Sequence, residues 1–259
     1  MIHKSEDNYQ FPAFIELSSV DSTNNYALSL VRSQNLTERQ LEALHGTAVF
    51  AHEQYLGKGQ RGKTWASASR KNVHLSLIIA PEGILLHRQF VLTALTALVA
   101  RRFMEEKAGL PCSVKWPNDI YFQDRKAGGI LIENIISGTE WKWAVAGIGL
   151  NINQTDFDPA LPNPVSLKQI TGKEFDCVEL AKELSRDVFE AVSGYRMQVA
   201  GDLLSEYNRR LYKRGEKVKL KKDNRVFEAT IKEVAENGQL VVETGMEERF
   251  DFGEVSFII

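Results

Sequence analysis

Apolar residues at helical spacing predict the first two helices of the chain. After a weakly structured lead of about a dozen residues, the polar residues 22–25 open a helix in the manner of an N-cap, and the apolar pattern continues to residue 31. Thr37 and Gln40 have the spacing of a capping box, which predicts a second, short helix that ends at Gly46.

Longer helical stretches and short apolar runs follow. Residues 88–107 predict a central buried helix, and residues 178–212 predict further helix with a break at 193–194. The runs that predict strands are 47–51, 73–79, 112–116, 119–122, 128–136 and 141–151, with a hairpin turn at 137–138. With 259 residues, the chain is long enough for one large α/β domain or for a medium domain with a small appendage.

From residue 215 onward, short alternating runs are separated by turn residues. Asn237-Gly238 is a strong hairpin signal between two of these runs. We therefore predict two domains, residues 1–212 and a small β-barrel at residues 213–259.

Composition and charge narrow the class of protein. Of 259 residues, 43% are hydrophobic and 25% charged, which excludes wholesale disorder. The formal net charge is -2, which gives no global reason to expect nucleic acid as a partner, although basic residues dominate locally between Arg209 and Arg225. Two cysteines, no signal-peptide pattern and no long apolar run predict a cytoplasmic protein with no membrane partner and no zinc site.

A glycine-rich basic loop follows the predicted strand 47–51. Residues 57–64 read GKGQRGKT, which satisfies the P-loop pattern of nucleoside triphosphatases. A P-loop must open a helix whose amides hold the phosphates, whereas residues 65–72 are a short polar stretch before a strand. We therefore reject the P-loop. Three glycines still allow close backbone approach to an anionic ligand, and the cations supply neutralising charge, the alternative being an ordinary solvated loop.

Further strings carry a resemblance to a known family. Residues 22–24 read STN, residues 115–120 KWPNDI, residues 126–133 KAGGILIE and residues 147–153 GIGLNIN. Together with the loop 53–65, they resemble biotin protein ligases in the same order and at similar spacing over nearly the whole chain. The resemblance implies an α+β fold. Its catalytic domain would be of the class II aminoacyl-tRNA synthetase/biotin synthetase type, a mixed sheet flanked by helices, followed by an SH3-like barrel.

The activity implied by the resemblance has two steps. Biotin and ATP with Mg²⁺ give biotinyl-5′-adenylate and pyrophosphate, and a lysine of a biotin carboxyl carrier protein or carboxylase biotinyl domain then displaces AMP. ATP enters as a substrate and Mg²⁺ as its counter-ion, with no tightly bound prosthetic group expected. The resemblance assigns no metal-binding residue and allows a monomer or a homodimer.

The resemblance also implies roles for individual residues. Lys126 would be catalytic, because an ammonium on a flexible stem can bridge the biotin carboxylate and the α-phosphate, the alternative being an exposed hairpin lysine. The residues implied to bind biotin are Ser22, Thr23, Asn24, Gln54, Gly57, Lys58, Gly59, Gln60, Lys126, Gly129 and Gly147. The residues implied to bind ATP or the adenylate are Arg61, Lys63, Trp65, Lys115, Asn118, Lys126 and Asn151.

Some residues in these strings also have a structural interpretation. The residues 22–24 have the composition of a plain helix cap, and Asp119 is expected to hold a strand turn. Gly129 and Gly147 are expected to let the backbone approach the ligand.

The glycine-rich loop departs from the family pattern. Many relatives have arginine where this chain has Lys58, Gln60 and Lys63. Lysine and glutamine cannot grip a carboxylate or phosphate bidentately, so backbone contacts are expected there rather than arginine-like ones.

Two other functions compete with this interpretation. A lipoate protein ligase shares the scaffold and a related Lys-x-Asn-Asp-Ile element, but the loop from Gly57 to Trp65 looks like that of the biotin group. Bifunctional relatives carry a DNA-binding helix-turn-helix before the first motif. Here that motif begins at Ser22, so we expect a monofunctional ligase without a nucleic-acid partner.

Overall fold

A seven-stranded mixed sheet forms the body of the protein in the computed structural model, which describes residues 12–195 and 200–258. The strand order is β1-β2-β3-β7-β6-β5-β4, with β1 and β2 parallel and the other neighbours antiparallel. The strands are β1 (Phe14–Leu17), β2 (Ala48–Ala51), β3 (Val73–Ile79), β4 (Ser113–Lys115), β5 (Asp119–Phe122), β6 (Arg125–Ser137) and β7 (Glu140–Leu150). The lead predicted for the first dozen residues lies outside the described residues as far as residue 11.

Helices cover both faces of this sheet. They are α1 (Thr23–Val31), α2 (Glu38–Glu42), α3 (Phe90–Ala108), α4 (Leu167–Thr171), α5 (Cys177–Gly194) and α6 (Ala200–Arg209). The helices α3 and α5 pack on one face in the larger core, and α1 packs on the other in a smaller one. The predicted α+β class, a mixed sheet flanked by helices, is confirmed.

The strand β3 shows how the sheet separates core from site. All seven of its residues are buried, because helices cover it from both sides. Val73 and every second residue after it join the core of α3 and α5, whereas Ile78 packs against α1. Successive side chains of a strand point to opposite faces, so His74 and Ser76 share the face of Ile78. The Ser76 hydroxyl hydrogen-bonds to Thr23 and Asn24 at the start of α1.

Most predicted elements are present, with shifts at their ends. The central buried helix is α3, and the predicted helical break at 193–194 coincides with the end of α5. The capping box of α2 is present, but α2 ends at Glu42 rather than at Gly46, which lies in the turn before β2 with φ +83°. The strand β6 begins at Arg125, three residues before its predicted start, so Lys126 belongs to it.

Three elements were not predicted from the sequence. The strand β1 is a four-residue edge strand, α4 has five residues, and β12 (Ser256–Ile258) has three. Segments of this length are too short to show the period of a helix or a strand, so their structure is determined by contacts with distant parts of the chain.

The chain from Lys217 forms a second, five-stranded antiparallel sheet. Its order is β11-β10-β9-β8-β12, with β8 (Lys217–Lys222), β9 (Arg225–Val234), β10 (Leu240–Glu243) and β11 (Glu247–Phe250). The predicted hairpin joins β9 to β10, and Gly238 takes φ +90° in its turn. This sheet is consistent with the expected SH3-like barrel.

The second sheet packs directly on the first. Trp116 Nε1 donates to the carbonyl oxygen of Gly238 at 2.8 Å. The side chain of Asn208 pairs with both the carbonyl oxygen and the amide of Val234, at 3.0 and 2.7 Å. One continuous hydrophobic cluster includes residues of both sheets. Within the described part of the chain, every helix is too short or too polar to cross a membrane.

Candidate active site

A cavity of about 910 Å³ lies at the junction of the two sheets. Its walls come from the start of α1, the glycine-rich loop, strands β3 to β7 and the end of the second sheet. The predicted site residues on its lining are Ser22, Thr23, Asn24, Gln54, Lys58, Gly59, Gln60, Arg61, Lys63, Trp65, Lys115, Asn118, Lys126, Gly129, Gly147 and Asn151. Gly57 is the one predicted site residue not on this lining, and it lies in the same loop.

The start of α1 forms one polar end of the cavity. Ser22, Thr23 and Asn24 are 2 to 4% exposed. Ser22 is the N-cap residue by backbone geometry, yet its side chain makes no capping hydrogen bond. The amide and hydroxyl of Thr23 both donate to Gln54 Oε1, at 2.7 and 3.0 Å. The plain helix-cap alternative therefore does not account for these three residues.

A buried hydrogen-bond network fixes the orientation of Asn24. The hydroxyl of Ser76 lies 2.6 Å from Asn24 Oδ1 and 2.7 Å from the hydroxyl oxygen of Thr23. Asn24 Nδ2 donates to Glu133 at 2.7 Å. A Cβ at position 147 would overlap the Asn24 amide. Gly147 thus makes room for Asn24 in this structure, a reason that the sequence did not indicate.

The neutral form of His74 extends this polar end. Burial lowers the pKa of His74 to about 4, against a smaller opposing effect of its hydrogen bond to the backbone of Ala51. His74 Nδ1 therefore donates to the carbonyl oxygen of Ala51 at 3.1 Å, and Nε2 accepts from Ser67 at 2.6 Å. His74 contributes shape and polarity to the wall but no charge at neutral pH.

The glycine-rich loop folds back on itself and is followed by no helix among residues 63–72. Residues 60–62 form a single 3-10 turn, and the chain then continues without regular structure until β3. Backbone hydrogen bonds close the loop, from Gly59 N to Lys63 O at 2.7 Å and from Trp65 N to Gly57 O at 2.8 Å. The rejection of a P-loop is confirmed, because the helix that would hold phosphates is missing from this described segment.

Lys58 is engaged by a carboxylate. Its ammonium lies 3.2 Å from one oxygen of Glu133, whose other oxygen accepts from Asn24. Glu133 therefore ties the loop to the start of α1. Lys58 does not present a free cation where many relatives have arginine.

A cluster of lysines forms the other polar end of the cavity. Lys126 Nζ pairs with Asp119 at 2.7 Å and lies 5.7 Å from the ring centre of Trp65. Lys115 and Lys63 line the same region, and both Lys63 and Lys126 raise the local positive charge felt by Lys115. With three ammonium groups against the Asp119 carboxylate, this end suits an anionic ligand. Lys126 is not a solvent-exposed hairpin lysine, since it lies on β6 within the wall.

Burial lowers the pKa of Lys115 to about 8 from its usual value of 10.5. The repulsion of Lys126 and Lys63 acts in the same direction, and the attraction of Asp119 opposes it. Lys115 donates to the hydroxyl of Tyr121 at 3.0 Å. It is therefore a lysine whose charge changes close to physiological pH.

Two buried asparagines connect the strands behind the lysines. Asn118 Nδ2 donates to the carbonyl oxygen of Ile130, and the amide of Ile130 donates back to Asn118 O at 3.1 Å. Asn151 Nδ2 donates to the carbonyl oxygens of Lys126 and Val165, at 3.3 and 3.2 Å. Their amides hold the backbone around Lys126, so their first role here is to shape the wall.

Glycines allow tight packing beside these groups. A Cβ at Gly149 would lie 2.6 Å from the ring of Trp65, and one at Gly129 would lie 3.1 Å from Asp119 Oδ1 and 3.4 Å from Lys126 Nζ. At both positions the nearest atoms belong to neighbouring side chains. The expectation that Gly129 admits a ligand stays a prediction.

Comparison with known proteins identifies the family. Residues 17–151 match the model of the biotin/lipoate A/B protein ligase family. The chain belongs to this family. Its resemblance to biotin protein ligases in sequence is thereby confirmed at the level of the family, and the matched region contains all of the predicted site residues, from Ser22 to Asn151.

Several ligases of this family are similar to the chain. It is 36% identical over 137 residues to the bifunctional ligase/repressor BirA of Bacillus subtilis, covering 52% of this chain and 42% of that one. It is 32% identical over 171 residues to the biotin-[acetyl-CoA-carboxylase] ligase of Paracoccus denitrificans, covering 62% and 65%. The chain thus spans about half the length of the curated relatives it matches.

A solved structure extends the similarity to both sheets. The biotin protein ligase from Aquifex aeolicus in complex with biotin and ATP superposes with a TM-score of 0.77 at 26% identity, covering 96% of this chain and 99% of that one. The fold of the described chain is therefore that of a biotin protein ligase, including the C-terminal sheet.

His74 on the cavity wall was missed from the sequence, as were Glu133 and Ser76, which hydrogen-bond to Asn24. Glu133 stands in the string 126–133 but received no role, and Ser76 and His74 lie in a strand that reads as core. A signal was available, because two polar residues at alternate positions of a buried strand mark one face as a polar wall. No comparable signal pointed to Phe252 and its neighbours in the second sheet, which line the cavity only through tertiary packing.

Proposed function

We propose that the protein is a biotin protein ligase, which activates biotin with ATP and transfers it to a lysine of a biotin carboxyl carrier domain. One observation carries the proposal: a buried neutral hydrogen-bonding end and a lysine-rich end share one cavity. The family and the relatives that are named as biotin ligases support this choice.

The neutral end suits the ureido ring of biotin. That ring presents one carbonyl and two N–H groups, and each must be paired once it leaves water. Ser22 supplies a hydroxyl without a capping bond, and Thr23, Asn24 and Gln54 supply further polar atoms in fixed orientations. Absence of charge at His74 is consistent with a neutral ligand at this end.

The lysine-rich end suits the first reaction step. An oxygen of the biotin carboxylate attacks the α-phosphorus of ATP, and the bond to pyrophosphate breaks, leaving the acyl-adenylate. Two negative groups must approach each other, so a cation between them lowers the barrier. We assign this role to Lys126, with Lys115, Lys63 and Arg61 around the phosphates and Trp65 beside the nucleotide.

The second step transfers the acyl group. The neutral ε-amine of the acceptor lysine attacks the biotinyl carbonyl carbon, the bond to AMP breaks, and the amine proton is released. Mg²⁺ accompanies ATP as its counter-ion. Asp119 presents a carboxylate to the cavity, the ligand type that Mg²⁺ takes beside phosphate oxygens.

Other expectations from the sequence stay predictions. They are the domain division at residues 1–212 and 213–259, a cytoplasmic location, and a monomer or homodimer. The transition between β8 and the preceding helix supports the proposed division, since α6 ends at Arg209 and the second sheet begins at Lys217.

Pyrophosphate release tests the proposal and its alternative together. The protein is incubated with ATP, Mg²⁺ and either biotin or lipoate. We expect release with biotin and transfer of label from biotin to a purified carrier domain. Release with lipoate alone would establish the lipoate ligase instead, and release with neither would refute both.

A further inference from the structure

Arg61 adopts an unusual backbone conformation at the tip of the glycine-rich loop. Its φ is +55° and its ψ +42°, the left-handed region that non-glycine residues seldom occupy. Such a conformation costs roughly 1 to 2 kcal/mol, so the surrounding structure must favour it. The Arg61 side chain extends to the second sheet, where its guanidinium lies beside Gly253.

Gly253 receives this side chain. Gly253 lies in the turn 251–254 between β11 and β12, with φ +84°. A Cβ there would overlap the Arg61 guanidinium and would lie 2.8 Å from Arg61 Cδ. The face of Gly253 that a side chain would occupy is therefore filled by Arg61, so a Cβ at this position would displace the guanidinium as well as strain the backbone.

The carboxylates of the same turn are engaged elsewhere. Glu254 pairs with Lys222 at 3.2 Å and accepts from the amide of Asp251 at 2.8 Å. Asp251 Oδ1 accepts from Gln239 at 2.9 Å. Within residues 12–195 and 200–258, the ion pairs found do not include Arg61. Its positive charge thus stays uncompensated on the cavity wall, on the side where Lys63 and Lys115 also lie.

We propose that Gly253 is a positioning residue: it seats the Arg61 side chain against the second sheet so that the guanidinium faces the triphosphate of ATP. This inference rests on the proposed function and deepens it. The turn 251–254 then acts on ATP binding through Arg61, and the biotin end of the cavity is independent of it.

A matched pair of glycine variants tests the inference. Gly253→Ala introduces both the backbone strain and the overlap with Arg61. Gly245→Ala introduces the strain alone, because Gly245 has φ +104° in the same sheet and its Cβ would meet no described atom within 4 Å. We expect Gly253→Ala to raise the KM for ATP about tenfold through loss of a charge-assisted contact, and Gly245→Ala to leave it unchanged. Biotin affinity without ATP, measured by calorimetry, should be the same in both.

A double-mutant cycle separates the contact from a general disturbance. In an Arg61→Ala background the overlap is gone, so Gly253→Ala should have no further effect on the KM for ATP. Additive effects in this cycle, or equal KM values for Gly253→Ala and Gly245→Ala, would overturn the inference. If Gly253→Ala folds poorly, Gly253→Asn takes its place, since asparagine tolerates positive φ and keeps the overlap.

The two proposals fail in different ways. If the unaltered protein releases no pyrophosphate with biotin, the proposed function is wrong. Calorimetric titration with ATP still tests whether Gly253 positions Arg61 in that case. Weaker ATP binding in Gly253→Ala than in Gly245→Ala would support this role, and equal binding would refute it.

Discussion

On the proposed function, the charge of Lys115 should make ATP binding dependent on pH. Burial places the pKa of this lysine at about 8, so the ammonium is lost as the pH rises through that value. On the proposed function Lys115 faces the phosphates, and a bound polyphosphate favours the charged form. ATP binding should therefore weaken from pH 7 to pH 9.

The size of the effect follows from the titration. With a pKa of about 8, roughly nine-tenths of Lys115 is protonated at pH 7 and roughly one-tenth at pH 9. If bound ATP keeps the lysine charged, the affinity falls about tenfold over this range and binding at pH 9 takes up close to one proton. The sign for folding is opposite: the folded pKa lies below the unfolded one, so this group destabilises the fold below pH 8 and the penalty vanishes as the pH rises toward 10.5. Titration of Lys115 therefore does not unfold the protein as the pH rises, and unfolding from this cause cannot explain a loss of ATP affinity.

Calorimetry in buffers of different ionisation enthalpy measures both the affinity and the proton uptake. Lys115→Arg is the control, because arginine stays protonated over the whole range and should remove the pH dependence. A flat affinity between pH 7 and pH 9 in the unaltered protein, or an equal decline in Lys115→Arg, would refute the assignment of this lysine to the phosphates.

Three other sets of substitutions have distinct expected outcomes. Lys126→Ala should lower the rate of pyrophosphate release at least about 100-fold and change the free energy of unfolding by less than about 1 kcal/mol, measured by chemical denaturation; near-normal release would contradict its catalytic role. Glu133→Gln should weaken biotin binding about three- to tenfold by releasing Lys58, and Lys58→Met should produce a similar loss that is not additive with it in calorimetry. Replacing the exposed Lys219 and Lys221 by Glu should slow transfer to an acidic carrier domain at low salt and leave adenylate synthesis unchanged, whereas an earlier loss of adenylate synthesis would exclude a docking role.

The sequence predicted those parts of the fold in which a local pattern and the final environment agree. The run 73–79 gave the limits of β3 correctly, because its apolar residues recur at every second position, which is the period of a strand. The α2 capping box was also predicted correctly, since Thr37 and Gln40 satisfy each other within one turn. Residue patterns failed where pairing partners are distant, as at β12 with its three residues.

In the candidate site, too, local patterns were informative and contacts between distant residues were not predicted. The strings containing Asn24 and Lys126 pointed to two ends of one cavity, because a family pattern records both residue type and order. The reason for Gly147 was inaccessible, since it depends on the position of Asn24 more than a hundred residues earlier in the chain. Likewise, no local feature of the turn 251–254 reveals that Arg61 lies on Gly253.

The two halves of the glycine-rich loop differ in the charge that they present to the cavity. In the first half, the charge of Lys58 is offset by Glu133, and Gln60 carries none. In the second half, Arg61 and Lys63 line the cavity beside the lysine cluster. The first half therefore contributes backbone and hydrogen bonds, which suit a neutral ring, and the second half contributes the positive charge that a triphosphate requires. On the proposed function, such a loop would hold biotin and ATP with different residues of one continuous segment.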